Sequence, residues 1–406
     1  MDQHALKQFR TRCLQSCHAS AFLSSMAFFI QLSVSPFLSK KLGMDAIQFG
    51  YLQTIGAAAM FTGSPIFGRI ADHYGARYAV IIADLSSLCY YLMVAFASSK
   101  YLLFLSQIAL CLAHGLPAHQ MIASDVSDPK ERPDALGKVG MCFGFGMLVG
   151  SVLGGWIQAS YGEQTTAMIS AFGAVLHVMI TMMFIPKNTK MYLGNSEDEQ
   201  KEKSKKSSST SISDAFRLLA YPHVLFLLVL KLVSFLPLGL IQSVISLILM
   251  DHFHLGAQAN GLMLAYLGVL TTIVQGFFVG YITDLYSQYT VLKYDSMSLI
   301  IIYIIMAFTT NLIPYCLAMF LLAVGTDTFQ VILSSCLTSL APESDSGSMI
   351  GMIATVEFGI RLISPPIASY LFSIYGITMF GWVGLLSSVL LVLLFASYSE
   401  IHIKND

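Results

Sequence analysis

Charged residues are scarce in this sequence. Asp, Glu, Lys and Arg make up 11% of its 406 residues, whereas soluble globular domains carry about 25%. The net charge is only −1, and no strongly basic stretch interrupts the long apolar segments, which argues against a nucleic-acid-binding protein. Hydrophobic residues reach 55% and the mean hydropathy is +0.69. This composition indicates a membrane protein.

The sequence also lacks the motifs that are typical of enzyme active sites and of metal or cofactor sites. Its seven cysteines lie mostly inside apolar runs and show no metal-site spacing, so they read as small core residues. No nucleophile–base pair and no phosphate-binding loop is recognisable. We therefore expect no enzyme activity, no metal and no cofactor.

Long apolar segments dominate what is present. A membrane-spanning helix needs about 20 predominantly apolar residues, and twelve segments of that kind follow one another along the chain. The sequence therefore predicts an all-α polytopic membrane protein with twelve transmembrane helices in two six-helix halves. The segments lie near residues 19–38, 46–67, 77–98, 101–123, 138–160, 165–186, 222–249, 258–282, 290–310, 312–337, 348–373 and 377–397.

The two predicted halves, 19–186 and 222–397, are joined by a polar linker, 187–221. The linker is rich in Lys, Glu and Ser and poor in aromatic residues, a composition typical of disorder. Short ends, 1–18 and 398–406, complete the chain. If both ends are cytoplasmic, seventeen Lys and Arg residues fall on the cytoplasmic side and three on the opposite side, as the positive-inside rule requires.

A short polar turn between the second and third predicted helices carries Gly68, Asp72, Gly75 and Arg77. The glycines permit close helix approach and a positive φ at a helix end. Asp72 is suited to a helix N-terminus, and Arg77 to pairing with it or holding a C-terminal carbonyl. The spacing Gly-x-x-x-Asp recurs 212 residues later and ends at Asp284. We expect this turn to act as a conformational latch.

A second repeat relates the fifth and eleventh predicted helices. The stretch from Gly137 to Gly162 aligns with the stretch from Gly351 to Gly376 at an offset of 214 residues, and both end in Tyr-Gly. Two parallel six-helix repeats about an axis along the membrane normal are the arrangement this predicts.

Three glycines on the fifth predicted helix recur every fourth residue and form a smooth stripe. Both plain helix packing and a sliding interface between the halves are compatible with such a stripe. The glycines are Gly146, Gly150 and Gly154.

Ionisable residues inside predicted spans each need a reason, because one at mid-membrane costs about 2.5–3.5 kcal/mol. Glu357 and Arg361 are spaced i, i+4 and form a favourable intrahelical pair. Lys231 lies deep in the seventh helix and is expected to face a cavity or to meet Asp327 or Glu357. The two carboxylates are the candidate sites for a cation.

Polar residues on other predicted helices extend the set of candidate substrate and coupling residues. His114 and His119 of the fourth helix can relay protons, because histidine titrates near neutral pH; a hydrogen-bonded structural histidine is the alternative for each. Asp84 of the third helix is expected to be structural. The remaining candidates are Gln31, Gln120, Gln242 and Gln330.

The turn at 68–77 resembles the signature of the major facilitator superfamily. The runs at 68–72, 129–137 and 33–43 together resemble its organic cation transporter-like branch. The resemblance implies a facilitator fold and organic cation/proton exchange, by antiport, at plasma or endosomal/lysosomal membranes. Its expected partners are a small-molecule substrate, the lipid bilayer and protons.

Two alternatives follow from the residues themselves. Lys231 and Arg361 would repel a cationic substrate unless carboxylates neutralise them, which leaves anionic, zwitterionic or lipid-like substrates open. The charged linker, 187–221, is suited to binding protein partners, so a transporter-like scaffold is the second alternative.

Overall fold

The structure, a computed structural model, describes residues 3–127, 132–186, 189, 223–340 and 346–397, with the side chains of residues 3–8, 72, 132–134, 346–348, 350 and 397 outside this description. Within these residues the chain forms fourteen α-helices and no strand. The prediction of an all-α protein is therefore confirmed.

Seven helices precede the linker. They are α1 (Gln3–Lys41), α2 (Ala46–Tyr74), α3 (Ala76–Ala95), α4 (Lys100–Ile108), α5 (Gly115–Val126), α6 (Arg132–Tyr161) and α7 (Glu163–Phe184).

Seven more helices follow it. They are α8 (Val224–Leu247), α9 (Ala257–Ile273), α10 (Val279–Leu285), α11 (Gln288–Phe308), α12 (Leu312–Leu340), α13 (Ser346–Tyr375) and α14 (Thr378–Ser397).

Irregular turns join some of these helices into longer spans. A 3₁₀ turn, Ala109–Leu112, lies between α4 and α5, and a π turn, Val274–Phe278, connects α9 to α10. Ten helical segments of the described chain are long and apolar enough to cross a membrane. Helices α2 and α13, of 29 and 30 residues, fall outside those ten; Ser, Thr, Gly and Pro dilute their apolar residues.

The chain forms two compact units. The first contains Met1–Asn195 and His254–Val269, and the second contains Ser196–Phe253 and Leu270–Asp406. The predicted linker, 187–221, lies outside the described residues except for Thr189, whose hydroxyl donates to Asp125 Oδ2 over 2.5 Å.

The repeat relating the fifth and eleventh predicted helices is visible in the helix bounds. Helix α13 begins and ends 214 residues after α6. Each is followed by a glycine with a positive φ, +83° at Gly162 and +71° at Gly376. Because L side chains disfavour this conformation, glycine ends both helices at equivalent positions.

The glycine stripe of α6 packs against α1 inside the first unit. A Cβ on Gly146 would lie 2.6 Å from the carbonyl oxygen of Phe22, and one on Gly150 would lie 2.5 Å from that of Met26. At Gly154 the nearest backbone atom would be Ile30 Cα at 2.8 Å. The stripe thus packs closely against α1 within this unit, and its role as a sliding interface between the halves stays a prediction.

Candidate functional site

An ion pair with a buried lysine lies in the second unit. Lys231 of α8 is 1% exposed, and its Nζ lies 2.7 Å from Glu357 Oε1 of α13. The same Nζ donates to Ser334 Oγ over 2.8 Å. The Glu357 side chain is 33% exposed, so one partner of the pair is buried and the other is accessible.

Hydrogen bonds continue from this pair between α8 and α12. Ser334 donates to the carbonyl oxygen of Gln330 over 2.7 Å. The Gln330 Nε2 donates to Ser234 Oγ over 2.9 Å, and Ser234 donates to the carbonyl oxygen of Lys231 over 3.1 Å. This ring of donors and acceptors fixes the lysine in position.

Arg361 does not share the Glu357 carboxylate that its spacing suggests. The Glu357 carboxylate pairs with Lys231, because the buried ammonium has the greater need of a counter-charge. The Arg361 side chain is exposed, and its guanidinium lies 6.0 Å from the centre of the Phe235 ring. An accessible cation therefore lies one helical turn beyond the ion pair.

Asp327 of α12 has a different environment. Its carboxylate is in hydrogen-bonding reach of the side chains of Thr271 and Gln275, which are both neutral. One of its oxygens, Oδ2, is buried and accepts no hydrogen bond. Asp327 and Ser334 are seven residues apart on one helix, which separates Asp327 from the Lys231 site by roughly 10 Å along the axis.

In the turn at 68–77, where a conformational latch is predicted, the structure shows the positive φ that its glycines imply. Gly75 has φ +89°, a conformation largely restricted to glycine. Arg77 donates from Nη2 to the carbonyl oxygen of Met182 over 2.6 Å and so holds the C-terminal end of α7. Gly68 lies inside α2, and a Cβ added there would have no neighbouring atom within 4 Å. The Asp284 side chain is exposed at the end of α10.

The two histidines predicted on the fourth span have different environments. His114 precedes α5, with its ring 5.1 Å from the ring of Phe67. His119 is 1% exposed, and its Nδ1 lies 2.7 Å from the carbonyl oxygen of Gly115.

The glutamines among the candidate residues also scatter. Gln31 is buried beside Tyr90, Gln120 is half-buried, and Gln242 is exposed. Among them, only Gln330 joins the network around Lys231, as far as the described hydrogen bonds show.

A buried polar cluster in the first unit joins His119 and Asp84 to two residues that the sequence analysis does not single out, Ser20 and His177. Ser20 of α1 contacts the rings of both His119 and His177, and His177 forms an ion pair with Asp84. The four residues are at most 4% exposed. His177 lies inside a predicted span, 165–186, so the rule that selects His114 and His119 could have selected it as well.

The second unit contains a further cavity that the sequence does not indicate. Its volume is about 450 Å³, and it is lined mainly by apolar and aromatic side chains of α10, α11 and α12. Asp295 lines it as well and accepts a hydrogen bond from Ser298 over 3.2 Å.

Comparison with known proteins gives a family for this fold. The model of the Major Facilitator Superfamily matches residues 17–365. Human solute carrier family 67 member A1 is 35% identical over 90% of this chain and 87% of its own length. Mouse solute carrier family 22 member 18 is 34% identical over 92% of both chains. A crystal structure of the peptide transporter POT in complex with sulfate superposes with a TM-score of 0.73 at 16% identity, covering 98% of each chain.

Proposed function

The chain belongs to the major facilitator superfamily, and we propose that it exchanges a small organic cation for protons by alternating access. In this mechanism two rigid repeats rock around a substrate site near the middle of the membrane. The relatives named above are solute carriers and a peptide transporter. Both termini face the cytoplasm, and the membrane is the plasma membrane or an endosomal/lysosomal membrane.

The carboxylate of Asp327 is the observation that carries this proposal. It lies within a membrane-spanning helix, and among the described residues its hydrogen-bond donors are Thr271 and Gln275, which are both neutral. A charge at such a place is costly without a counter-charge. A proton or an organic cation removes that cost, and each excludes the other. Mutually exclusive occupancy of one carboxylate is what obligatory exchange requires.

Glu357 is the weaker of the two carboxylates that the sequence offers as cation sites. Its Oε1 lies 2.7 Å from the ammonium of Lys231, so an incoming cation would have to displace a buried lysine. We assign this pair to positioning α8 against α13 in the substrate site, with Gln330 supporting it through Ser234.

Transport by the purified full chain in liposomes tests the proposal. With an imposed pH gradient, we expect uptake of tetraethylammonium or methylphenylpyridinium by the wild type. Asp327→Asn should abolish this uptake, because the amide binds neither a proton nor a cation. Asp295→Asn is the matched control, since it removes another aspartate of the same unit. Equal uptake by Asp327→Asn and the wild type would contradict the assignment.

Arg361 supports a second candidate function, the transport of an anionic, zwitterionic or lipid-like solute. Its guanidinium is exposed, and the neighbouring carboxylate of Glu357 is occupied by Lys231. A solute carboxylate or phosphate would bind Arg361 by a bidentate contact. Uptake of para-aminohippurate or betaine that is lost in Arg361→Gln, with no cation uptake, would establish this function in place of the first.

The linker, 187–221, defines a third alternative, a scaffold that binds protein partners. Except for Thr189, the linker lies outside the described residues, so the proposal stands on its charged composition alone. Deleting it separates the two roles: a scaffold loses its partners, whereas a transporter retains its flux.

A further inference from the structure

The hydrogen bonds of the buried cluster in the first unit require a definite number of hydrogens, which can be counted atom by atom. We call it the Ser20 cluster: Ser20 of α1, Asp84 of α3, His119 of α5 and His177 of α7. Ser20 Oγ lies 3.0 Å from His119 Nε2 and 2.5 Å from His177 Nε2. One hydroxyl therefore joins two imidazole rings.

The outer nitrogen of each ring is committed to a proton by its partner. His119 Nδ1 lies 2.7 Å from the carbonyl oxygen of Gly115, and a carbonyl only accepts, so this nitrogen carries a hydrogen. His177 Nδ1 contacts Asp84 Oδ2 in an ion pair. If Asp84 is ionised, that nitrogen carries a hydrogen too.

Ser20 has a single hydrogen to give. If both rings are neutral and Asp84 is ionised, both Nε2 atoms present lone pairs to Ser20. The hydroxyl satisfies one of them, and the other faces an oxygen lone pair at hydrogen-bonding distance. The cluster would also carry one negative charge, although all four residues are at most 4% exposed. Both features are costly in an apolar interior.

One additional proton removes both problems. With it, one Nε2 donates to Ser20, Ser20 donates to the other Nε2, and the cluster becomes neutral overall. The proton lies on His177 or His119, or on Asp84, which then donates to His177 Nδ1. In each arrangement every polar hydrogen of the chain from Asp84 to Gly115 has an acceptor.

We propose that the Ser20 cluster binds one exchangeable proton and that this proton is exchanged during transport. The proton comes from water on loading and returns to water on release, and no electrons move. The role in transport rests on the proton exchange proposed above, whereas the proton binding rests on the geometry alone.

The surroundings of the cluster leave Asp84 as its one carboxylate among the described contacts. Ser24 of α1 donates to Asp84 Oδ1 over 3.4 Å, and Thr181 Oγ1 of α7 lies 3.5 Å from Ser20. Among the described contacts, Tyr91 of α3 and Cys17 of α1 also face the cluster, and Cys142 of α6 lies near Cys17. Phenols and thiols are ordinarily uncharged near neutral pH, so they do not replace the extra proton.

A cavity beside the cluster offers the proton a route. Its volume is about 100 Å³, and its lining includes Ser24, Ser87, Tyr91 and His119. Space of this size with several polar walls accommodates about three water molecules. Water there would reach the His119 ring and the Ser24 hydroxyl that contacts Asp84.

Nitrogen NMR of the full chain with isotope-labelled histidine, in lipid nanodiscs, tests the proton binding. His119→Gln and His177→Gln assign the two rings. Near neutral pH we expect a protonated Nε2 on one ring, and loss of one proton as the pH rises. In Asp84→Asn the rings of His119 and His177 should stay neutral, each in one tautomer, across the titration, because an amide needs no counter-charge. Two unprotonated Nε2 atoms in the wild type, or unchanged titration in Asp84→Asn, would overturn the proposal.

Liposome transport tests the coupling. With tetraethylammonium as probe, Asp84→Asn should lower uptake driven by a pH gradient, because only the proton at Asp327 remains coupled, but keep solute exchange at equal pH on both sides. Thr181→Val is the matched control and should keep both, since it removes a neighbouring hydroxyl without changing the proton count. Full gradient-driven uptake in Asp84→Asn would refute the coupling. If the wild type moves no probe, the proposed function fails, and the NMR titration still decides whether the proton binds.

Discussion

Lys231 and Glu357 form a pair whose two members differ in access to water, and this difference has energetic consequences. Removing Glu357 leaves an ammonium that is 1% exposed without a counter-charge, whereas removing Lys231 leaves a carboxylate that is 33% exposed. An uncompensated buried charge costs more than one that water can reach.

We therefore predict that Glu357→Gln destabilises the protein by about 3–5 kcal/mol, and that Lys231→Met costs clearly less. The thermal unfolding midpoints of the purified variants measure this. The double variant Lys231→Met/Glu357→Gln should recover much of the loss, because neither charge remains. Equal losses for the two single variants would show that the pair is equally hydrated at both ends.

At the scale of single residues, the sequence identifies the charged residues of the spans but not which of them pair with one another. The sequence predicts that Lys231 meets Asp327 or Glu357, and Glu357 is the partner in the structure. The prediction is possible because a buried lysine needs a carboxylate and few carboxylates lie in the spans. It does not choose between them, since the choice depends on the packing of α8 against α12 and α13. The Ser20 cluster escapes prediction for the same reason: its members come from four helices, and sequence spacing does not show which helices touch.

Helix α6 shows how glycine sets the distance between two elements. Its backbone lies so close to α1 that a methyl group at Gly150 would meet Met26 at 2.5 Å from the carbonyl oxygen and 3.0 Å from Cα. Ten residues earlier on the same helix, Gly140 has no neighbour within 4 Å of the equivalent position.

Gly150→Ala is predicted to lower stability by about 1–3 kcal/mol, because α1 and α6 must separate. Gly140→Ala is the matched control on the same helix and should be neutral or stabilising by up to about 1 kcal/mol, since alanine is the better helix former. Thermal unfolding in detergent compares them. A loss of the same size in both variants would show that helix propensity, not the contact with α1, sets the effect.

The elements themselves are the part of the fold that the sequence predicts best. Long apolar runs and the 214-residue repeat locate α6 and α13, since the membrane thickness fixes helix length. The irregular turns at Ala109–Leu112 and Val274–Phe278 have no comparable pattern, because a local change in hydrogen bonding leaves the hydropathy unchanged.

At the scale of the whole molecule, the turn at 68–77 is proposed to control the balance between conformations. Its Arg77 holds the carbonyl of Met182, so the turn is tied to the end of α7, and Gly75 gives it a conformation that other residues resist. The side chain of Asp72 lies outside the described residues, and its role stays a prediction.

Asp72→Asn is expected to weaken this latch and to shift the population of states, since it removes the charge that favours a helix N-terminus. Labelling of single cysteines placed on opposite membrane faces reports that population. Asp45→Asn is a control, because Asp45 caps α2 through the Gln48 amide at 2.7 Å and lies away from the turn. Unchanged labelling and unchanged transport in Asp72→Asn would remove the latch from the mechanism.

Cys17 gives the molecule a built-in reporter. Its thiol donates to the carbonyl oxygen of His119 over 3.4 Å, and an S–H group is a weak donor whose vibration responds to its acceptor. That vibration absorbs in an infrared window that other protein groups leave empty. The packing of α1 against α5 in the first unit can thus be followed optically through this thiol, in the unlabelled protein.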